Sequence, residues 1–227
     1  TFQLCTGLKN FTFSGENLSG SGDFAIPADT FKYCRVLQSL EVPDRVKRIE
    51  EEAFRDCTAL KTIDLGGVED IGEYAFYACT SLSMPDFSNV KYIYLRAFDG
   101  CESFTGELRL SAYLDGGAFE GCENIEKLTL TLKNEDKVNL YINNRLFSMC
   151  ENLKEARFFV NENEGGEGTT NHTYGLYTEN IFNISPKLEK IVLGAALNPN
   201  WIERGAFYPS RYGQDTTKQT FIIYSSQ

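Results

Sequence analysis

One histidine, His172, stands in the whole 227-residue chain, and no G-x-S-x-G, H-E-x-x-H or phosphate-binding loop occurs in it. A nucleophile–base pair would have a single possible base, set in a Gly-rich stretch, which argues against an enzyme. No Cys-x-x-Cys is present, the close pairing that a zinc site wants. No apolar run approaches the roughly 20 residues that span a bilayer, so membrane insertion is not expected. Positive charge is scarce: 22 Lys and Arg stand against 32 Asp and Glu. The resulting net charge of −10 opposes a phosphate backbone and argues against nucleic acid. A basic membrane-surface helix is missing too. Neither Met nor a signal peptide opens the chain at Thr1, so a trimmed or mature form is expected.

What is present is a period. With Phe54 at position zero, Cys57 falls at +3, Leu60 at +6, Ile63 at +9 and Leu65 at +11. The same frame fits Phe2, Cys5, Leu8, Phe11 and Phe13, and again Phe31, Cys34, Leu37, Leu40 and Val42. It fits the units at Phe76, Phe119 and Phe147; the unit at Phe98 keeps Cys101 and Phe104 but brings Leu108 and Leu110 one residue late. Units at Phe182 and Phe207 carry Ser185 and Ser210 where the others have cysteine. Five residues before each internal Phe stands Ile26, Ile49, Ile71, Ile93, Leu114, Ile142, Tyr177 or Ile202. The regular Phe-to-Phe distances of 21 to 23 lie in the window of leucine-rich repeats.

The Leu-x-x-Ile-x-Leu segment alternates as a strand with one buried face does. The Ala-Phe-x-x-Cys segment has helix-compatible residues. The expected fold is therefore α/β: a right-handed leucine-rich-repeat solenoid with a parallel β-sheet on one wall and short helices or 3₁₀ turns on the other. Residues 1–227 read as a single solenoid of about eight to nine units that starts mid-repeat. Strands are expected near 10–13, 39–42, 62–65, 84–87, 107–110, 127–131, 155–159, 190–193 and 221–224. All seven cysteines occupy one repeat position beside a core Phe, where a free thiol packs as a small hydrophobe. An odd count and the lack of close pairs favour that reading over a disulfide framework or a metal site. No metal or cofactor is expected.

"IGEYAFYACTSL" (71–82) and "IEEEAFRDCTALKTIDL" (49–65) resemble the units of the BspA-type leucine-rich-repeat family, approximately I-G-x-x-A-F-x-x-C-x-x-L-x-x-I-x-L. The resemblance covers essentially the whole chain. It implies a secreted or cell-surface protein that adheres to or binds a macromolecule, and it brings no catalytic residues.

Departures from the period mark candidate sites. The step from position +11 to the next apolar residue is six at Leu65–Ile71 and Phe87–Ile93. It lengthens to twelve at Leu130–Ile142 and nineteen at Phe158–Tyr177. Insertions near 14–25, 131–141, 159–176 and 194–201 thus enter at one point and should project from one edge, a common binding face. Those at 131–141 and 159–175 belong to consecutive units and should lie side by side. They hold Glu135, Asp136, Glu162, Glu164, Glu167 and His172, without the spacing of a calcium loop. Asn171-His172-Thr173 is a glycosylation sequon, relevant only in a eukaryotic secretory setting.

The outward row at +10 contains Glu41, Asp64 and Asp86, then Arg109 in the shifted frame. Like charges on adjacent strands are destabilising, which makes this acidic stripe a candidate contact for a basic partner or a cation. The row at +8 alternates as Glu107, Lys127, Glu155 and Lys190, which reads as structural pairing. The functional expectation is a non-enzymatic binding or adhesion module for a protein or glycan. It would use Glu41, Asp64, Asp86 and Arg109 on the sheet face, or Glu162, Glu164 and His172 on the edge. A structural spacer, or a hydrolase with its site near 159–176, is the alternative.

Overall fold

A computed structural model describes residues 1–13, 23–132, 140–141, 145–160, 174–177, 181–194, 197–202 and 221–225. The Phe ladder is its axis. Phe31, Phe54, Phe76, Phe98, Phe119 and Phe147 are fully buried and stack ring on ring. Around them one hydrophobic cluster runs from Ile26 to Leu193, with the Cys and Leu of each unit inside it. No unit could bury its own apolar face, so the neighbours supply the cover.

The strand segments pair in parallel, because each unit repeats the same path. β1 (Asn10–Phe11), β3 (Ser39–Leu40) and β5 (Thr62–Ile63) form one sheet. β8 (Gly106–Leu110), β10 (Ile125–Leu132), β12 (Glu155–Val160), β14 (Lys190–Gly194) and β16 (Phe221–Ser225) form another from the same repeat position.

The strand expected at 84–87 is absent, and the series splits there into these two sheets. The Ser83 N–H still reaches the Lys61 carbonyl at 2.9 Å. Two residues later Pro85 occupies the position of Ile63 and has no N–H to give to a ladder. The late arrival of Leu108 and Leu110 is absorbed at Gly106, whose φ is 79°, where the register slips between Ile125 and Lys127.

A second set of parallel strands was not foreseen. It is built on the apolar residue five before each Phe. β2 (Phe24–Ile26), β4 (Val46–Ile49), β6 (Asp70–Ile71), β7 (Tyr92–Ile93) and β9 (Tyr113–Leu114) form one sheet. β11 (Leu140–Tyr141), β13 (Tyr174–Tyr177) and β15 (Leu197–Ile202) form the other. The expectation of a sheet on one wall is therefore corrected to sheets at two repeat positions.

The Ala-Phe-x-x-Cys segments are not helices; among the described residues they are turns. The cause lies in the backbone two residues either side of each Phe. Glu52 and Asp56 flank Phe54 with φ of 54° and 58°, and Tyr74 and Ala78 flank Phe76 with 53° and 56°. A left-handed residue every fourth position interrupts a right-handed helix. In its place, alternate N–H groups cross to the next unit: Glu52 to the Glu73 carbonyl, Phe54 to Ala75 and Asp56 to Tyr77, at 2.8–2.9 Å. The intervening Arg55 and Cys57 N–H groups turn back three residues, to Glu52 and Phe54, at 3.1 Å. Every unit is thus laced to its neighbour on this side too.

Candidate functional site

The cysteines come first, because they were the obvious chemical candidates. Each thiol from Cys34 to Cys150 lies against the Phe carbonyl of the preceding unit. Cys57 donates to Phe31 at 3.1 Å, Cys79 to Phe54 at 3.1 Å and Cys122 to Phe98 at 3.2 Å. Ser185 makes the equivalent bond to Phe147 at 3.4 Å with its hydroxyl. Packing was the reading from spacing; the hydrogen bond is the addition, and it explains why serine can stand in. Burial pushes the Cys57, Cys79, Cys101, Cys122 and Cys150 thiols up, so they remain protonated donors rather than nucleophiles. Cys5, in the first unit, is only partly buried.

On the strand face, Glu41, Asp64 and Asp86 stand beyond the ends of the short ladders. Asp64 accepts the Gly66 N–H at 2.9 Å. Asp86 accepts the Ser88 N–H at 2.9 Å and its hydroxyl at 3.1 Å. These are Asx turns that steer the chain out of the strand position. Glu41 is exposed.

Farther along, the register is the one read from the sequence. Glu107, Lys127, Glu155 and Lys190 fall opposite one another, as do Arg109, Thr129, Arg157 and Val192. Glu155 takes Lys190 and Arg157 at 2.9 Å each, and these bonds, Lys190 first, hold its carboxyl below the usual range. Glu107 is lowered first by the Thr129 hydroxyl at 2.8 Å and then by Arg109 at 2.7 Å. Arg109 is thus paired with Glu107 on its own strand.

The insertions leave from neighbouring stems. β10 and β12 stay paired beyond the core, Thr131 opposite Phe159 and Leu132 opposite Val160. On the return, Leu140 pairs with Leu176 and Tyr141 with Tyr177. β15 adds the insertion near 194–201 to the same series, with Tyr174 opposite Leu197. Glu162, Glu164 and His172 lie outside the described residues.

Sequence reading passed over the tyrosines at 92, 94 and 113. They share one outer surface, Tyr92 on β7, Tyr94 just after it and Tyr113 on β9, and their signal was alternation: Tyr-Ile-Tyr at 92–94, with Tyr113 at the matching place one unit on.

The model of the BspA type leucine rich repeat region matches in six copies, over residues 24–154 and 89–208. Among solved structures, the Treponema leucine rich repeat protein described as "T. pallidum Leucine Rich Repeat protein" is similar at 23% identity and a TM-score of 0.52. That match covers 67% of this chain and 73% of the other. A leucine rich cell surface protein from Faecalibacterium prausnitzii A2-165 is similar at 17% identity and a TM-score of 0.52, with 83% of this chain covered and 64% of that one. At such identities the likeness is one of fold. No curated protein matches the sequence.

Proposed function

The chain belongs to the BspA-type leucine-rich repeat family, whose repeats generally serve protein interaction, and from that premise we propose a non-enzymatic module that binds a macromolecular partner through the rim where its insertions emerge. The observation that carries this reading is the pairing of stems. Thr131–Leu132 with Phe159–Val160, and Leu140–Tyr141 with Leu176–Tyr177, bring both ends of the two long insertions together. Variable segments set side by side on a laced scaffold are what a recognition surface requires. The acidic row is the weaker candidate, because Asp64 and Asp86 already spend their carboxylates on turns. A protein is the favoured partner and a glycan the other. We place the module at the cell surface or outside the cell, by analogy with the Faecalibacterium relative described as a cell surface protein.

A pull-down and a glycan array would identify the partner, and two variants would then locate its site. Replacing 161–172 by a short Gly-containing turn should leave thermal stability nearly unchanged, since no repeat position falls there. It should weaken binding severalfold or more. Replacing Glu41, Asp64 and Asp86 by Ser should weaken binding much less. If the shortened loop binds like the parent, the rim is not the site.

A further inference from the structure

The strand at β6, β7 and β9 buries Ile71, Ile93 and Leu114 and turns the residues between them outward. In register on that outer side stand Arg48, Asp70, Tyr92 and Tyr113, one per unit. Tyr94, two residues after Tyr92, shares the surface. The Tyr92 and Tyr94 rings are 6.3 Å apart and nearly parallel at 19°. Tyr92 and Tyr113 are 6.1 Å apart, inclined at 48°. Tyr94 is 38% and Tyr113 51% exposed, so water covers a contiguous aromatic patch. Packing does not require it.

Other surface aromatics are treated differently. Arg45 lies over Phe24 at 4.7 Å, on the first strand of this same sheet. Lys32 and Arg35 each approach the Tyr33 ring at 5.8 Å. Arg55 serves both Tyr74, at 5.7 Å, and Tyr77, at 4.9 Å. The chain's own cations thus lie over Phe24 and the half-buried Tyr33, Tyr74 and Tyr77, as the ring quadrupole favours. Among the described residues no cation sits over Tyr92, Tyr94 or Tyr113. Lys91, beside them in sequence, is held by Glu69 at 2.6 Å.

Asp70, opposite Tyr92, and Asp115 are the carboxylates that act on the patch; of the cations nearby, Arg48 stands on the far side of Asp70 and Lys91 is taken by Glu69. Burial first, and then Asp70, with Asp115 among the further causes, holds the Tyr94 phenol above its usual value. The Asp70 carboxyl is raised by burial and then by Glu69, with Arg48 and Lys91 opposing. Carboxylates beside uncovered rings make a surface complementary to a cation.

We propose that Tyr92, Tyr94 and Tyr113, flanked by Asp70 and Asp115, form a docking patch for an arginine- or lysine-bearing segment of a partner protein. The guest cation takes over these rings the place that Arg45 and Arg55 take over Phe24, Tyr74 and Tyr77. The patch shares its repeat position with the return stems β11 and β13 but lies in units without the long insertions, and it stands or falls apart from the rim.

The test uses the whole chain with ring-labelled tyrosine and three probes: capped Gly-Arg-Gly-Arg-Gly, capped Gly-Glu-Gly-Glu-Gly, and a neutral glucose hexasaccharide. Each is titrated through the millimolar range by NMR. The arginine peptide should shift the Tyr92, Tyr94 and Tyr113 rings together and leave Tyr74 and Tyr77, already occupied, in place. Its affinity should fall as salt rises, and by roughly tenfold in a Tyr94→Ser/Tyr113→Ser double variant whose melting temperature is unchanged. Asp70→Asn should weaken it more mildly. Absence of shifts at the three rings would overturn the proposal. So would equal shifts with the glutamate peptide, or a response to the hexasaccharide alone, which would make the patch a glycan platform.

Discussion

The units around Phe54, Phe76 and Phe98 and those around Phe119, Phe147 and Phe182 solve the same stacking problem in different ways. In the first group the rings lie 5.1 and 5.0 Å apart and within 4° of parallel. In the second they separate to 5.7 and 6.2 Å and tilt to 13° and 24°. The strands change in the opposite sense. In the first group β5 has two residues, the Phe76 unit has no strand at 84–87 and β8 has five; in the second β10 has eight and β12 six. A unit of 22 residues closes its turn around a tight ring stack with little ladder. A unit of 28 or 35 residues must carry extended backbone out to its insertion, and those N–H and C=O groups need partners. Cohesion passes from side chains to backbone where the insertions begin.

The strongest way to break that comparison is to remove a ring on each side. Phe76→Ala should cost about 3–5 kcal/mol, because a fully buried ring sandwiched at 5.0–5.1 Å leaves a cavity its neighbours cannot collapse into. Phe182→Ala should cost less, its rings among the described residues being Phe158 at 6.1 Å and Phe147 at 6.2 Å. Urea unfolding of both variants decides the matter. Equal losses would mean that ring spacing carries no weight.

A second intervention asks whether the hydrogen-bonded column is common to both groups. Cys79→Ala removes one of the two donors to the Phe54 carbonyl, which keeps the Cys57 N–H at 3.1 Å, and should cost about 0.5–1.5 kcal/mol. Cys79→Ser should cost less, since Ser185 shows that a hydroxyl reaches the same carbonyl in the looser group. Were Ser no better than Ala at position 79, the column would be packing alone.

The period was legible because apolar burial imposes it. Phe, Cys, Leu and the Ile-x-Leu pair must fall where they do for units to stack. The register of Glu107, Lys127, Glu155 and Lys190 followed from it, as did the neighbouring insertion stems. The turn segments were not legible. Many of their left-handed positions are filled by residues such as Glu52, Tyr74, Ala78 and Arg96, which do not announce a positive φ, and Asp56, Gly100, Gly117 and Gly121 are the minority that do. The sheets five residues before Phe escaped notice because strands such as Asp70–Ile71 are too short to show alternation. Pro85 was in plain view, and its missing N–H should have removed the strand at 84–87. Asp64 and Asp86 looked like a stripe, yet each precedes Gly66 or Ser88 at the spacing of an Asx turn. Charge was read there before local geometry.

Acidity should sharpen the contrast at the junction of the two groups. The Asp99 carboxyl is pushed up to about 6 by burial, against the opposing pull of Arg96 at 3.3 Å. A carboxyl raised on folding favours the folded state below its ordinary range, and that favour is lost as pH rises through about 6. Asp99→Asn should therefore match the parent near pH 4 and exceed it at pH 7, by roughly 1–2 kcal/mol. Glu107 and Glu155, both lowered, work in the other direction in the long strands. They contribute stability above the usual glutamate range that is lost as pH falls through their lowered values. Hydrogen exchange followed against pH should show protection around Asp99 rising on acidification while β8, β10 and β12 lose theirs. Parallel loss in both places would refute the assignment.

The smallest effect concerns the left-handed residues themselves. Around Phe98 and Phe119 the sequence places glycine at three of them, Gly100, Gly117 and Gly121, with φ of 74°, 65° and 71°. On either side it uses residues with side chains, Ala78 at 56° among the tight units and Met149 at 59° among the loose ones. A left-handed non-glycine residue costs roughly 1–2 kcal/mol of local strain, which the crossing hydrogen bonds hold in place. The Ala78 N–H donates to Asp99 at 2.8 Å and that of Met149 to Asn183 at 2.7 Å, so glycine can keep both bonds. Ala78→Gly should accordingly gain about 0.5–1 kcal/mol, the relief of strain outweighing the greater freedom of glycine in the unfolded chain. Gly121→Ala should lose at least as much, because its new Cβ would meet the Gly100 nitrogen at 3.4 Å in addition to the strain. If the turn lacing is equally tight in both groups, Met149→Gly gains as much as Ala78→Gly. A gain confined to Ala78 would show that strain is carried where the rings stack closest, and a loss at both positions would mean that the left-handed residues are not strained.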